Sequence, residues 1–250
     1  MAVGQYIIPD WPVAAHVKSV ITTRYGGASR GCYAGFNVAD HVGDDADTVA
    51  ANRKQLAQDL ELPGEPLWLE QVHGTRVVDA GGAQPGEQAD GSFTHTRNRV
   101  CAVMTADCLP LLLCDKSGSR VAALHAGWRG LAAGIIERGM EQLAVPGEEL
   151  IVYLGPAIGP SVFEVGDEVR EQFCRQDDVA AEAFRKAGPN KWLADIYLLA
   201  RQRLHQRHVS QIYGGGRCTY TEAAEFFSYR RDGQCGRMVS MVWMDDKSPL

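Results

Sequence analysis

The sequence has no long apolar run and no excess of basic residues. No stretch approaches the roughly 18 apolar residues of a membrane span. The first residues, MAVGQYIIPDWPVAAH, lack the charged segment and apolar core of a secretory signal. Lysine and arginine total 25 against 31 aspartates and glutamates, a net charge of -6, and no basic run is present to follow a phosphate backbone. We therefore expect a cytoplasmic protein that binds neither membranes nor nucleic acid.

The cysteines lack the pattern of a disulfide scaffold or a paired-cysteine site. There are seven, an odd number, in a chain of 250 residues that is too large to need covalent stapling. No CxxC pair occurs, which excludes a zinc ribbon and a thioredoxin-type redox motif. Most of the cysteines are therefore expected to be reduced core residues.

What is present favours one globular domain of mixed α/β class spanning residues 1–250. Hydrophobic residues make up 45% and charged residues 22%, and no repeat, low-complexity tract or linker interrupts the chain. The segment 99–125 predicts two or three buried strands, and GWRGLAAGIIERGMEQLAV predicts one helix after them. FEVGDEVREQFCR and KWLADIYLLARQRLHQRH predict two further helices. The predicted strands and helices do not follow the strict alternation of a Rossmann or barrel fold.

TADCLP, residues 105–110, places Asp107 and Cys108 between buried strand segments, where ionisable groups carry a desolvation cost. His73 and His125 each end a predicted strand beside a glycine. Two imidazoles and a thiolate would form a three-ligand zinc site with an open fourth position, as in catalytic zinc sites. A buried cysteine is more often a small hydrophobe, a histidine beside glycine is more often a turn residue, and the spacing matches no standard metal motif.

Several motifs together resemble the YfiH family. They are TTRYGGASRG, FNVADHVGDD, QVHG, TADCLPLLL, HAGWRGLAAGI, LGPAIGPSVFEVG and FFSYRRDG, and they run in order from about Thr22 to the carboxyl end. The resemblance implies a mixed β-sandwich flanked by helices, a fold grouped with certain cysteine hydrolases. It also implies a zinc ion held by His73, Cys108 and His125.

The activity that the resemblance implies is phosphorolysis of adenosine, inosine, guanosine and methylthioadenosine, together with adenosine deamination. Family members have also been called laccases and peptidoglycan editing factors. A multicopper oxidase needs about ten histidines, many of them in His-x-His pairs, to hold its copper ions, whereas this chain has seven and no such pair. Copper is therefore expected only as an alternative metal at the His2Cys site.

Each proposed reaction asks for further groups. In deamination an open zinc activates water for attack on C6 of adenine, and Asp107 is the candidate proton carrier, although it could equally orient a ligand or cap a strand end. In phosphorolysis arginines are the expected partners of phosphate, although any one of them is more often a surface or structural ion pair. The catalytic candidates are Cys108, Asp107 and Arg129. The substrate-binding candidates are Arg24, Asn37, His41, Arg53 and Arg230.

Two rival functions remain open from the sequence. In a cysteine hydrolase, Cys108 would be the nucleophile and His73 or His125 its base. A binding or editing factor would recognise a cell-wall precursor without turnover. The favoured function is a zinc enzyme whose partners are small molecules, a purine nucleoside and phosphate. The oligomeric state stays open between a monomer and a weak dimer.

Overall fold

A computed structural model describes residues 4–246, so residues 1–3 of the amino-terminal segment considered above and residues 247–250 lie outside it. The predicted mixed α/β class is confirmed. The strands are β1 (Tyr6–Ile7), β2 (Val17–Thr22), β3 (Val77–Asp79), β4 (Gly91–Thr94), β5 (Cys101–Thr105), β6 (Leu109–Asp115), β7 (Val121–Ala126), β8 (Leu150–Leu154), β9 (Glu164–Gly166), β10 (Phe184–Gly188), β11 (Lys191–Ala194), β12 (Gln211–Gly214) and β13 (Met238–Met244). The α-helices are α1 (Ala46–Asp59), α2 (Trp128–Ala133), α3 (Ile135–Leu143), α4 (Asp167–Cys174), α5 (Ile196–Gln206) and α6 (Tyr229–Asp232).

The strands form two larger sheets and one small one. The order is β1-β2-β13-β5 in the first sheet, β12-β8-β6-β7-β4-β3 in the second and β10-β11-β9 in the third. The pairs β3–β4 and β12–β8 are parallel, and the other ladders are antiparallel. None of the helices within residues 4–246 has the length and apolar character needed to cross a membrane.

Strand β6 shows why the run LPLLLCD is apolar on both faces. Leu111 and Leu113 point into a cluster that includes residues of α3 and α5. The alternating Leu112 and Cys114 point into a cluster shared with β2, β5 and β13 of the other large sheet. Because successive side chains of a strand face opposite ways, β6 is covered by helices on one face and by a sheet on the other.

The structure corrects three predicted helices. The helix predicted from Gly127 is divided by Gly134, which has φ 101° and separates α2 from α3. The segment predicted to be helical from Phe163 begins with β9, and the one predicted from Lys191 begins with β11. These short strands pair with each other, so a partner distant in sequence outweighs the local helical pattern.

The strand ends around the predicted site meet at one edge of the second sheet. Strands β6 and β7 are antiparallel, and Pro110 pairs with His125. Cys108, which immediately precedes β6, therefore lies beside the end of β7. The predicted strand before His73 is reduced to isolated bridges at Leu67 and Glu70, and the strand after it is the three-residue β3. His73 thus lies in a loop that runs along this edge.

Candidate metal centre

His73, Cys108 and His125 converge at this edge as the sequence predicts. Their potential donor atoms all lie within 4.8 Å of one another, and they are the one such group of three or more His, Cys, Asp or Glu residues found in the described part of the chain. Nε2 of His73 is 3.8 Å from Sγ of Cys108. The two imidazole rings are 4.8 Å apart between centroids and meet edge to face at 72°.

The donor set fits a divalent metal. Tetrahedral zinc with ordinary Zn–N and Zn–S bond lengths places a nitrogen and a sulfur ligand about 3.6 Å apart, close to the 3.8 Å between His73 and Cys108. His125 is buried, Cys108 is half-buried and His73 is exposed, so one side of the group faces the exterior. Three protein ligands with an open side are typical of a catalytic rather than a structural site.

Asp90, which the sequence reasoning missed, holds both histidines in place. The carboxylate is fully buried, and its Oδ1 lies 2.8 Å from Nδ1 of His125. It also accepts backbone hydrogen bonds from His73 at 2.8 Å and Gly74 at 2.6 Å. With Nδ1 of His125 donating to the carboxylate, Nε2 is the nitrogen left for a metal. The available signal was an acidic residue directly before the buried strand GSFT.

Local backbone geometry brings the ligands together. His73 has φ 61°, in the left-handed region that non-glycine residues seldom adopt. Gly127 packs against the ligands, since a Cβ there would lie 2.8 Å from Cδ2 of His73 and 2.9 Å from Sγ of Cys108. Only glycine leaves room at position 127 for both side chains.

The ionisation of the thiol and the imidazole is coupled. Burial opposes ionisation of Cys108, but the charge and hydrogen bonding of His125 and His73 outweigh it and lower the pKa of the thiol to about 6. Burial likewise opposes protonation of His125, but Cys108 and Asp90 outweigh it and raise the pKa of the imidazole to about 9. The metal-free group is therefore a thiolate beside an imidazolium at neutral pH.

The three side chains open into a cavity of about 540 Å³. It is lined by four further residues that the sequence reasoning selected, namely His41, Asp107, Arg129 and Arg230. It is also lined by residues that this reasoning did not assign to the site, among them Gln71, Trp128, Phe163, Tyr229 and Arg237. Phe226 and Phe227 are fully buried in the core, whereas Tyr229 of the same FFSYRRDG motif is exposed at the start of α6.

Asp107 lies on the cavity wall, and both of its carboxylate oxygens accept hydrogen bonds. The residue is buried, Oδ1 accepts from Oγ1 of Thr219 at 2.6 Å, and Oδ2 accepts from the backbone N–H of Arg230 at 2.6 Å. The residue has φ 94°, an unusual value outside glycine. The unusual backbone angle of Asp107 lies directly before Cys108, whose thiol faces His73 and His125. The carboxylate of Asp107 holds the start of α6.

Three of the predicted substrate-binding residues do not line this cavity. The guanidinium of Arg24 donates to the carbonyls of Ala223 and Ala34 and stacks on a buried phenylalanine. Asn37 is fully buried and hydrogen-bonds within its own loop and to the backbone N–H of Arg237. Arg53 donates to the carbonyl of Val38 and stacks on a tryptophan. Sequence motifs alone do not separate such loop anchors from groups that face the cavity.

Comparison with known proteins places this geometry in a family. Residues 18–245 match the family described as multi-copper polyphenol oxidoreductase laccase. The chain is 49% identical over 244 residues to a purine nucleoside phosphorylase of Pseudomonas aeruginosa, covering 96% of this chain and 99% of that protein. It is 50% identical over 242 residues to the purine nucleoside phosphorylase YfiH of Escherichia coli K12, with 96% and 99% coverage.

Solved structures show the same fold. A DUF152 protein of Neisseria meningitidis superposes with a TM-score of 0.93 at 48% identity, covering 96% of this chain and 99% of that chain. YlmD from Geobacillus stearothermophilus superposes with a TM-score of 0.89 at 31% identity, with 98% of each chain covered.

Proposed function

The chain belongs to the YfiH family, whose profile is described as multi-copper polyphenol oxidoreductase laccase, and from this membership we propose that it is a metal-dependent purine nucleoside phosphorylase. The names of relatives about half identical over nearly their full length support an enzyme of this kind. The observation that carries the proposal is the His73, Cys108 and His125 group at the wall of a 540 Å³ cavity.

Zinc is the metal we propose for this group. Two imidazoles and a thiolate suit zinc, and Asp90 supplies the buried carboxylate that ligand histidines commonly require. When bound, the ion would supply a Lewis acid facing the cavity. A multicopper mechanism needs a trinuclear cluster besides a single copper, and within residues 4–246 one three-residue group is assembled. The family description therefore does not describe the chemistry we propose, although copper can occupy a His2Cys site.

The cavity walls suit the two substrates of phosphorolysis. A volume of about 540 Å³ lies within the range of small-molecule sites. Trp128, Phe163 and Tyr229 offer aromatic faces for a purine, and the neighbouring guanidinium groups offer donors for phosphate. In the proposed reaction, phosphate attacks C1′ of the ribose, the glycosidic C–N bond breaks with its electron pair going to the purine, and the purine gains a proton. The products are free base and ribose 1-phosphate.

Adenosine deamination in the same cavity is kept as a second proposed activity. Asp107 was its predicted proton carrier, but both of its oxygens already accept hydrogen bonds at 2.6 Å. We therefore give Asp107 a positioning role at the cavity wall. Adenosine, inosine, guanosine and methylthioadenosine remain the proposed nucleosides.

One observation favours a second candidate, a cysteine hydrolase. Asp90 contacts Nδ1 of His125. His125 and His73 lower the pKa of the Cys108 thiol to about 6, as in an activated cysteine nucleophile. A thiolate bound to zinc is not available for attack on substrate. Tightly bound zinc at about one ion per chain would therefore argue against the hydrolase.

The packing supports the finer predictions about the fold. The two larger sheets share a buried cluster that includes Val17, Val103 and Val242 from one sheet and Leu112 and Ala123 from the other. We propose on this basis a β-sandwich flanked by helices, forming one domain.

The test of the function is turnover with and without phosphate. Each of the four nucleosides is incubated with purified protein, and the products are separated by chromatography. We expect free base and ribose 1-phosphate, or 5-methylthioribose 1-phosphate from methylthioadenosine, only when phosphate is present. We expect inosine from adenosine in either case. Unchanged nucleosides under both conditions would contradict the proposal and favour a binding or editing factor.

A further inference from the structure

We infer that Arg129, Arg230 and Arg237 form a subsite for a tetrahedral phosphate group in the cavity. All three line the cavity that the metal group opens into. The inference rests on the proposed function, because it assigns the co-substrate of phosphorolysis to named side chains. The subsite includes Arg237, which was not among the substrate-binding residues predicted from the sequence. It leaves out Arg24 and Arg53, which were among them.

Each of the three guanidinium groups lies over an aromatic ring that also lines the cavity. Arg129 lies 4.5 Å from the ring centre of Trp128 and Arg230 lies 5.5 Å from that of Phe163. Arg237 lies 5.7 Å from the ring centre of Tyr229. A ring face within about 6 Å attracts the guanidinium charge without accepting the N–H hydrogen bonds that a carboxylate would take. The same pairing thus occurs three times around one cavity.

Among residues 4–246, few partners take up the donors of these arginines. None of the three forms an ion pair with a residue in the range 4–246, whereas Arg203 pairs with Glu137 and Arg231 with Asp232. One Nη of Arg230 donates to the carbonyl of Glu164 at 2.7 Å. One Nη of Arg237 donates to the carbonyls of Cys235 and Gly236. These carbonyls fix part of each side chain and neutralise no charge.

The carboxylate on the cavity wall does not neutralise the arginines either. Asp107 is the one acidic residue among those that line the cavity, as far as the described residues show. Its two oxygens accept from Thr219 and from the backbone of Arg230, not from a guanidinium. His41 also lines the cavity, and its pKa is lowered first by burial and then by the positive charge of Arg237. The charge of Arg237 therefore acts on a residue of the cavity wall.

Three guanidinium groups without a carboxylate partner match a phosphate dianion. Each guanidinium carries five N–H donors in a planar fork, a geometry that suits phosphate oxygens. The phosphate could be inorganic phosphate or the phosphate group of a nucleotide, and both present the same tetrahedral oxygens. Phosphorolysis requires inorganic phosphate, so we expect this source to be the stronger ligand.

The test uses the metal-loaded full chain, with inorganic phosphate and adenosine 5′-monophosphate as separate probes in calorimetric titrations. The variants are Arg129→Ala, Arg230→Ala and Arg237→Ala. The control is Arg138→Ala, which removes an equal charge from an exposed ion pair on α3. Loss of a hydrogen bond to a charged group corresponds to about tenfold or more in affinity. We expect each cavity variant to raise Kd for inorganic phosphate by at least about that factor, and the control to leave it unchanged.

The same variants are compared for metal content and turnover. We expect wild-type metal content, little change in KM for the nucleoside and a raised KM for phosphate. Arg237→Lys, which keeps the charge but not the fork, should recover part of the phosphate affinity. Loss of nucleotide binding alone, with unchanged affinity for inorganic phosphate, would overturn the assignment of these arginines to the co-substrate of phosphorolysis.

Phosphate affinity that stays unchanged in all three cavity variants would overturn the subsite, and so would a wild-type protein that binds neither probe. Phosphate binding that depends on these arginines in a protein that splits no nucleoside would support the subsite and contradict the proposed function. Turnover that persists with an unchanged KM for phosphate in all variants would contradict the subsite alone.

Discussion

Nδ1 of His125 lies 2.8 Å from Oδ1 of Asp90, and both side chains are buried. The same carboxylate accepts the backbone N–H groups of His73 and Gly74. One carboxylate therefore fixes the ring of one candidate ligand and the loop that carries the other. This contact decides which nitrogen of His125 faces Cys108.

Replacing Asp90 with asparagine should weaken metal binding by about 10–100-fold, the usual effect of removing a carboxylate partner of a ligand histidine. Oδ1 accepts from both His125 and the backbone of His73, whereas Oδ2 accepts from the backbone of Gly74. An amide oxygen at Oδ1 therefore leaves the Gly74 anchor of the His73 loop unpaired and removes the negative charge beside His125. Metal affinity is measured by competition with a chromophoric chelator. Asp47→Asn, at an exposed carboxylate in the first turn of α1, is the control. Equal affinity in the Asp90 and Asp47 variants would argue against the positioning role.

Metal affinity should rise with pH between about 6 and about 9. The pKa of Cys108 is lowered to about 6, so the thiolate is lost as pH falls through that value. The pKa of His125 is raised to about 9, so its imidazolium is lost as pH rises through that value. Between the two values the pair holds one proton, which an incoming metal displaces. Affinity should therefore increase by about tenfold per pH unit.

The measurement is a metal-binding titration repeated across this pH range. Calorimetry in buffers of different ionisation enthalpy should report about one proton released per ion. An affinity that does not vary with pH in this window would contradict the thiolate and imidazolium pair.

Substituting Gly127 with alanine should displace the ligands with little loss of fold stability. The new Cβ would lie 2.8 Å from Cδ2 of His73 and 2.9 Å from Sγ of Cys108, so at least one ligand must move. Gly82→Ala is the matched control, because a Cβ there meets nothing within 4 Å. We expect reduced metal content in the first variant and wild-type content in the second. Equal metal content would show that the ligands do not need the position they occupy beside Gly127.

Asp107→Asn separates a positioning role from proton transfer. The substitution removes the negative charge and one acceptor, so with the amide oxygen on the backbone N–H of Arg230 the hydroxyl of Thr219 must accept instead of donate. The start of α6 is then held less tightly. We expect a raised KM for phosphate, wild-type metal content and an unchanged shape of the pH–rate profile. A large fall in kcat with loss of one limb of that profile would instead make Asp107 the proton carrier.

The sequence predicted the metal group because its members are local features. His73, Cys108 and His125 each lie where a glycine or proline punctuates an apolar segment, and the motifs around them resemble those of one family. The apolar run LPLLLCD likewise predicts a strand that is buried on both faces, which β6 is. Features of this kind depend on few residues beyond their own segment.

The rest of the site depends on contacts between distant segments. Asp90 reaches His125 only because β4 and β7 pair, and Arg237 reaches the cavity through a loop held by Asn37. In the pair at 230 and 231, the first arginine lines the cavity and the second is tied to Asp232 and to backbone carbonyls. Residue type and spacing do not show which of the two arginines faces the cavity. Their orientation depends on the contact of Asp107 with the start of α6.

The central claim is that a metal held by His73, Cys108 and His125 serves phosphorolysis. It is tested most directly by measuring metal content and phosphate-dependent nucleoside cleavage on the same samples of wild type, Cys108→Ala and the control Cys32→Ala, whose cysteine is exposed. We predict about one zinc per chain and cleavage in wild type and control, and neither in Cys108→Ala. The Cys108 variant should stay folded, since truncating one small side chain typically costs about 1 kcal/mol. A folded Cys108→Ala protein that lacks metal and retains full activity would contradict the claim.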